Sequence, residues 1–209
     1  MPELVIGTHN RGKQREMEAL LAGLGLRLID LNSLGVKGPA EEKGNDYVSN
    51  AQLKALAYAR ATGRWVIADD SGLEVDALEG APGLFSARLP AEVRNGIAIP
   101  SRTDAERRQA LLRLLAGRPR PWTARFRCTV ALAGPAGSVD IAEGTCPGEI
   151  IPEERGQGGF GYDPIFLVDG TDRTMAELSL EQKNRLSHRA RAVEALLPIV
   201  RARLGASPV

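Results

Sequence analysis

Cysteine is nearly missing from this chain: there are two in 209 residues, Cys128 and Cys146, and their spacing is not that of metal ligands. A cysteine-built metal centre is therefore excluded. No excess of one charge exists either, since 27 Lys and Arg meet 26 Asp and Glu for a formal net charge of +1. That balance excludes a strong electrostatic partner such as nucleic acid or an anionic membrane surface, which would call for a clustered basic excess. The arginine-rich stretches, Arg107-Arg108 and Arg118 to Arg127, read as solvated surface. No window of 18 uninterrupted apolar residues is present, so no membrane-spanning helix is expected. The first residues show no basic segment followed by an apolar run, and a reducing cytoplasm is the expected compartment. Aromatics are scarce, at 4%.

What is there fits one globular domain spanning 1–209, long enough for two lobes, with a sizeable core: 43% of residues are hydrophobic and 25% charged. Leu4 to Ile6 reads as a strand, Gly7 to Gly12 as a loop, and Lys13 to Leu24 as an amphipathic helix. Leu26 to Leu31 is a second strand candidate. Asp46 suits the N-cap of a helix through Ala61, and Trp65 to Ala68 reads as a buried strand ending at Asp69-Asp70. Two β-rich runs, Arg125 to Ala133 and Val139 to Gly144, flank Gly134-Pro135-Ala136-Gly137 and predict a hairpin, with a further strand at Ile165 to Val168. Ser179 opens a Ser-x-x-Gln capping pattern, and Ser187 caps a final helix carrying Ala190 to Leu204. Residues 90–103 show little pattern and are expected to be an irregular surface loop. The alternation predicts an α/β fold with mixed sheet pairing.

Five clusters bear chemistry. Gly158-Gly159-Phe160-Gly161-Tyr162-Asp163-Pro164 gathers three glycines, two aromatics and a carboxylate, a loop able to approach a flat ring closely and stack on it; a tight turn with one packed aromatic is the alternative. Gly7-Thr8-His9-Asn10-Arg11-Gly12-Lys13 is a strand-to-helix turn that can aim backbone N–H groups and an ammonium at a phosphate. It nearly spells a P-loop, missing only the final hydroxyl, where Gln14 stands; a helix N-terminus with a solvent-facing lysine is the plainer reading. Asp69-Asp70-Ser71-Gly72 places two carboxylates at the end of an apolar strand, where open α/β sheets put ligands. Adjacent carboxylates repel, and a hard divalent cation with substrate phosphates would join them; otherwise the pair is an acidic turn. Glu41-Glu42-Lys43-Gly44 by itself is a charged loop. In the last cluster, Lys183, Ser187 and His188 can share a helix face with Arg189 nearby, though such cations are usually solvated. Both histidines of the chain, His9 and His188, fall inside these clusters.

These residues, in order, resemble the inosine triphosphate pyrophosphatase family. The resemblance runs nearly end to end through Thr8-x-Asn10-x-x-Lys13, Glu41-x-x-Gly44, Asn50-Ala51-x-x-Lys54-Ala55, Ala68 to Leu73, Gly80 to Gly83, Ser86-Ala87-Arg88, Gly158 to Pro164 and Ser187-His188-Arg189. It implies an elongated α/β fold with a central mixed sheet flanked by helices, two lobes with a nucleotide cleft between them, and a homodimer. The implied activity is Mg2+-dependent hydrolysis of non-standard purine nucleoside triphosphates (ITP, dITP, XTP) to monophosphate and pyrophosphate, which cleanses the nucleotide pool. On the family's pattern Asp70 is general base and metal ligand, Glu41 is a second metal ligand, and Asp69 supports Asp70. Phosphates fall to Thr8, His9, Asn10, Arg11, Gly12, Lys13 and Lys183. The base stacks on Phe160; Gly161, Tyr162 and Asp163 recognise the nucleoside; His188 and Arg189 meet the purine edge; and Ser71 lies near the substrate. A 6-oxo group accepts hydrogen bonds, so donors there favour hypoxanthine or xanthine over adenine.

Three departures stand out: Ser49 replaces a Glu found in many relatives, Arg107 replaces an Asn, and residues 90–102 form a longer linker. A P-loop ATPase or kinase and a non-catalytic nucleotide sensor remain as other readings. Gln14 opposes the first, and the presence of both Glu41 and Asp70 opposes the second. A septum-inhibitor-type pyrophosphatase is opposed by Gly158 to Pro164 and Ser187 to Arg189.

Overall fold

Residues 1–38, 40, 43–94 and 96–205 are described by the structure, a computed structural model. Glu41, assigned above to a metal, lies outside the described residues. Strand β1 (Glu3–Ile6) leads into helix α1 (Arg11–Leu21), then β2 (Arg27–Asp30), α2 (Tyr47–Thr62) and β3 (Val66–Val75). Next come the two-residue strand β4 (Pro82–Gly83), the pair β5 (Pro90–Arg94) and β6 (Ile97–Pro100), and α3 (Asp104–Leu115). The long strands β7 (Trp122–Ala133) and β8 (Val139–Ile150), then β9 (Phe166–Val168), α4 (Leu180–Leu186) and α5 (His188–Leu204), complete the chain.

The fold is α/β with a mixed sheet, in the order β2-β1-β3-β7-β8-β9 with β4 on β3. β1 pairs parallel with β2 and β3, while β3–β4 and β8–β9 are antiparallel. The chain divides into two compact units. One comprises Met1–Ser71, Cys128–Gly144 and Asn184–Val209, the other Gly72–Arg127 and Thr145–Lys183.

In the first unit the sheet buries both faces, and the period-2 pleat of β3 sorts them. Ile67 joins Leu4, Ile6, Met17, Leu21 and Val130 against Ala192, Val193, Leu196 and Val200 of α5. Val66 and Ala68 join Val5, Ala131 and Ala133 against Ala51, Ala55, Tyr58 and Ala59 of α2. Helix α2 starts at its expected cap, with Asp46 accepting from Ser49 N, and ends at Gly63 in the left-handed conformation. α5 likewise begins on Ser187, whose hydroxyl accepts from Ala190 N.

In the second unit Ser86 closes the β3–β4 return: its Oγ accepts from Leu73 N at 2.8 Å and donates to Gly83 O at 2.6 Å. β5 and β6 form an antiparallel pair. Residues 90–94 and 97–100 are therefore paired strands, not the irregular loop expected; exposed Val93 and Ile97 bury no apolar face, which hides the strands from periodicity. The Ser179–Gln182 capping box forms as read, through Gln182 N to Ser179 Oγ at 3.2 Å and Ser179 N to Gln182 Oε1 at 3.1 Å.

Candidate active site

Helix α1 begins two residues earlier than its apolar pattern suggests, because Asn10 is the N-cap and its Oδ1 accepts from Lys13 N at 3.1 Å. Gly12 and Lys13 therefore sit in the first helical turn and not in a loop. Neither Gly7 nor Gly12 adopts positive φ. Gly7 is small for a packing reason: a Cβ there would meet Val66 Cγ1 at 2.8 Å and Ala68 Cβ at 3.0 Å on neighbouring β3. The first segment is thus a close strand contact followed by a capped helix, without the glycine geometry of a P-loop. Thr8 Oγ1 accepts from Asn10 N, and exposed Arg11 opens the helix. His9 Nε2 donates to Gly38 O at 2.8 Å and lies edge-on to Tyr58.

Strand β3 does not end at Asp69-Asp70; it runs on to Val75. The carboxylates therefore alternate across the pleat, one to each face. Asp70 lies on the α2 side, where Lys54 Nζ binds its Oδ1 at 2.8 Å with both side chains about nine-tenths buried. Asp69 lies on the opposite side, and its Oδ2 accepts from Lys13 Nζ at 2.9 Å and from Arg189 Nη2 at 3.0 Å. Cys128 Sγ stands 3.8 Å from the same oxygen. Their mutual repulsion is eased by this geometry and by a separate lysine for each carboxylate.

Burial alone would raise the Asp69 carboxyl, but Lys13, Arg189 and Lys54 overcome it and hold the group well below the usual carboxylate range. Its Oδ1 is buried with no hydrogen-bond partner among the described residues. Arg189 is 1% exposed, and Asp69 keeps its guanidinium charged against the cost of burial. It also binds Glu16 and donates to Ser71 Oγ at 3.1 Å. These partners differ from the purine edge expected for Arg189. The Cys128 thiol is pushed up by burial and by Asp69, so it stays protonated and is no nucleophile.

The glycine-aromatic loop belongs to the second unit and is organised by Asp163, which is 3% exposed. Its Oδ2 accepts from Phe160 N at 2.9 Å and from Lys183 Nζ at 2.5 Å. Gly159 has φ of 71°, and a Cβ there would collide with the Asp163 carboxylate. Lys183 Nζ also lies 5.0 Å from the centroid of the Phe160 ring, a cation–π contact. Tyr162 is buried and its hydroxyl donates to Ser86 O at 2.9 Å, so it anchors the loop. Ser187 is the N-cap that opens α5, as expected, so Lys183 on α4 and His188 on α5 do not share one helix: Lys183 pairs with Asp163, and Arg189 with Asp69 and Glu16.

The Ham1 family profile matches residues 4–199. The chain belongs to the Ham1 family. It is 44% identical over 199 residues to a Desulforamulus reducens protein named dITP/XTP pyrophosphatase, covering 95% of each chain. A Nostoc protein of the same name is 46% identical over 206 residues, covering 98% of this chain and 97% of the other. Among solved structures, a HAM1 protein from Coxiella burnetii superposes with a TM-score of 0.81 at 40% identity, over 97% of this chain and 100% of that one. The Staphylococcus aureus Ham1 protein does so with 0.79 at 38%, over 96% and 99%.

Two charged residues of this Ham1-family chain went unassigned in the sequence reading, Lys54 and Glu16. Lys54 sits on the buried face of α2 with Asn50, Ala51, Ala55 and Tyr58. Glu16 sits beside Met17 on the buried face of α1. Charges at apolar positions of a helix pattern were the available signal. Asn50 also explains a motif: its Oδ1 accepts from Gly44 N at 2.8 Å, tying Gly44 to α2.

The donor set bears on magnesium. No group of three His, Cys, Asp or Glu suited to a metal comes together among the described residues. Asp69 is committed to cations, while Lys54 takes one of the two oxygens of Asp70. A single hard carboxylate fits magnesium, which keeps several waters and is commonly held by one or two carboxylates plus substrate phosphates.

Proposed function

We propose that the chain hydrolyses ITP, dITP and XTP to the nucleoside monophosphate and pyrophosphate. The observation that carries this reading is the buried Asp70 carboxylate held at 2.8 Å by Lys54, in a chain aligned over nearly its whole length with dITP/XTP pyrophosphatases. Asp70 takes a proton from water as the water oxygen attacks the α-phosphorus. The bond to the bridging oxygen breaks, and pyrophosphate leaves. Lys54 fixes the carboxylate in one orientation, so little rearrangement is required at the moment of transfer. Magnesium, bound by Asp70 and assisted by Glu41, would supply charge neutralisation on the phosphates and a lowered water pKa.

Lys13 receives phosphate oxygens. Its counter-ion Asp69 holds the ammonium in place before substrate arrives. Thr8, His9, Asn10, Arg11 and Gly12 surround the same helix start, where backbone N–H groups favour anions. In the second unit, Phe160, with Lys183 against its ring, stacks the purine, and Gly161, Tyr162 and Asp163 form the frame of that loop. His188 is assigned to the 6-oxo edge, and Arg189 acts through Ser71 and Asp69. The two units serve as parts of one pyrophosphatase domain, which works as a cytoplasmic homodimer. No helix among the described residues is long and apolar enough to cross a membrane.

The test is product analysis with ITP, dITP, XTP, GTP and ATP, each with and without magnesium. Metal-dependent monophosphate and pyrophosphate, with ITP, dITP and XTP far ahead of ATP and GTP, is the expected result. Orthophosphate with a nucleoside diphosphate would replace this reading with terminal-phosphate chemistry. Binding without turnover would make the chain a sensor.

A further inference from the structure

Both backbone polar groups of Gly161, the residue after the stacking ring, are held by one helix. Asp104 Oδ2 accepts from Gly161 N at 2.7 Å, and Arg108 Nη1 donates to Gly161 O at 2.9 Å. The two side chains are four residues apart on α3 and therefore neighbours on one helix face. Each is itself braced: Asp104 by an ion pair with Arg107, and Arg108 by Glu154 Oε2 at 2.8 Å. Gly161 has φ of 62° and no neighbouring atom fills the space where a Cβ would lie. Gly161 has no side chain to pack, and the α3 hydrogen bonds hold its backbone instead.

We propose that Asp104 and Arg108 are positioning residues for the purine: they clamp Gly161 and so fix the tilt at which Phe160 presents its ring. The inference rests on the functional reading above and adds to it a set of specificity-supporting residues outside the loop. Asp104 carries a charge into this contact. Burial opposes its ionisation, but Gly161 N–H and Arg107 outweigh burial and lower its pKa, which makes the hydrogen bond charge-assisted. The clamp acts on affinity and leaves the chemical step at Asp70 alone.

The test is a double-mutant cycle on dITP hydrolysis with Asp104→Ala, Phe160→Ala and the pair, plus Asp104→Asn, which keeps an acceptor for Gly161 N. Asp104→Ala should raise KM about tenfold, the loss expected for one charge-assisted hydrogen bond, with kcat within about twofold of wild type. In the Phe160→Ala background the same change should raise KM less than about twofold, because the ring it positions is gone. Asp104→Asn should recover most of the wild-type KM. If Asp104→Ala fails to unfold cooperatively, Arg108→Met carries the same cycle. Additive effects in the two backgrounds, or an unchanged KM, overturn the clamp while leaving the pyrophosphatase reading intact. Wild-type protein that leaves dITP intact overturns that reading, and this assignment with it.

Discussion

Replacing Asp69 by Asn keeps the shape of the side chain and removes one charge from a buried cluster of Lys13, Arg189 and Glu16. Breaking a buried ion pair by neutralising one partner costs about 3–5 kcal/mol. The lower end applies here: Arg189 keeps Glu16, and Lys13, whose side chain is 15% exposed, can turn toward water. A loss of roughly 3 kcal/mol in a chain of this size lowers Tm by about 6–12 °C. The pH dependence is more diagnostic. The folded-state pKa of Asp69 is depressed, so its stabilisation is complete above the unfolded value and is lost as pH falls toward the folded one. The unfolded value is about 3.9, and below it the gap between wild type and variant should close by about 1.4 kcal/mol per pH unit. Urea unfolding of both proteins from pH 7 to pH 3, followed through Trp65 in the first unit and Trp122 in the second, measures the gap directly. A variant as stable as wild type at pH 7, or a gap that stays constant down to pH 3, would refute the assignment of Asp69 as the ionised hub of the first unit.

Asp70→Asn should lower kcat by about 10²- to 10⁴-fold with an unchanged circular dichroism spectrum; near-normal turnover removes Asp70 from the base role. Lys54→Met leaves a buried carboxylate unpaired and should both destabilise the protein by about 3 kcal/mol and lower kcat, whereas a variant of wild-type stability would mean that the Lys54–Asp70 pair does not form in solution. Phe160→Ala should weaken nucleotide binding by about 1–3 kcal/mol, seen in calorimetric titration with a slowly hydrolysed analogue. Unchanged affinity returns Phe160 to a packing role.

Much of the fold was legible because local chemistry and tertiary packing agreed. Asp46, Ser179 and Ser187 were readable as helix starts since each cap offers its oxygen to the N–H three residues on. β3 was cut short in the reading because Asp69-Asp70-Ser71-Gly72 carries turn residues, yet β4 folds back on Leu73 and Glu74 and keeps the strand going. That pairing is tertiary and leaves no mark in the segment itself. The site showed the same split. The clusters around Lys13, Asp70, Phe160 and Lys183 could be found, while their pairing could not. Nothing in the spacing assigns Lys54 to Asp70, Lys13 to Asp69 or Lys183 to Asp163, because each pair is joined across the fold. For the same reason Arg108 reads as solvated surface in the sequence and Asp104 carries no signal at all.

The central claim is that water attacks the α-phosphorus of a purine nucleoside triphosphate with Asp70 as base. Turnover of dITP in 18O-labelled water, with mass analysis of both products, tests it most directly. The account predicts label in dIMP and none in pyrophosphate; label in pyrophosphate, or in released orthophosphate, would contradict it.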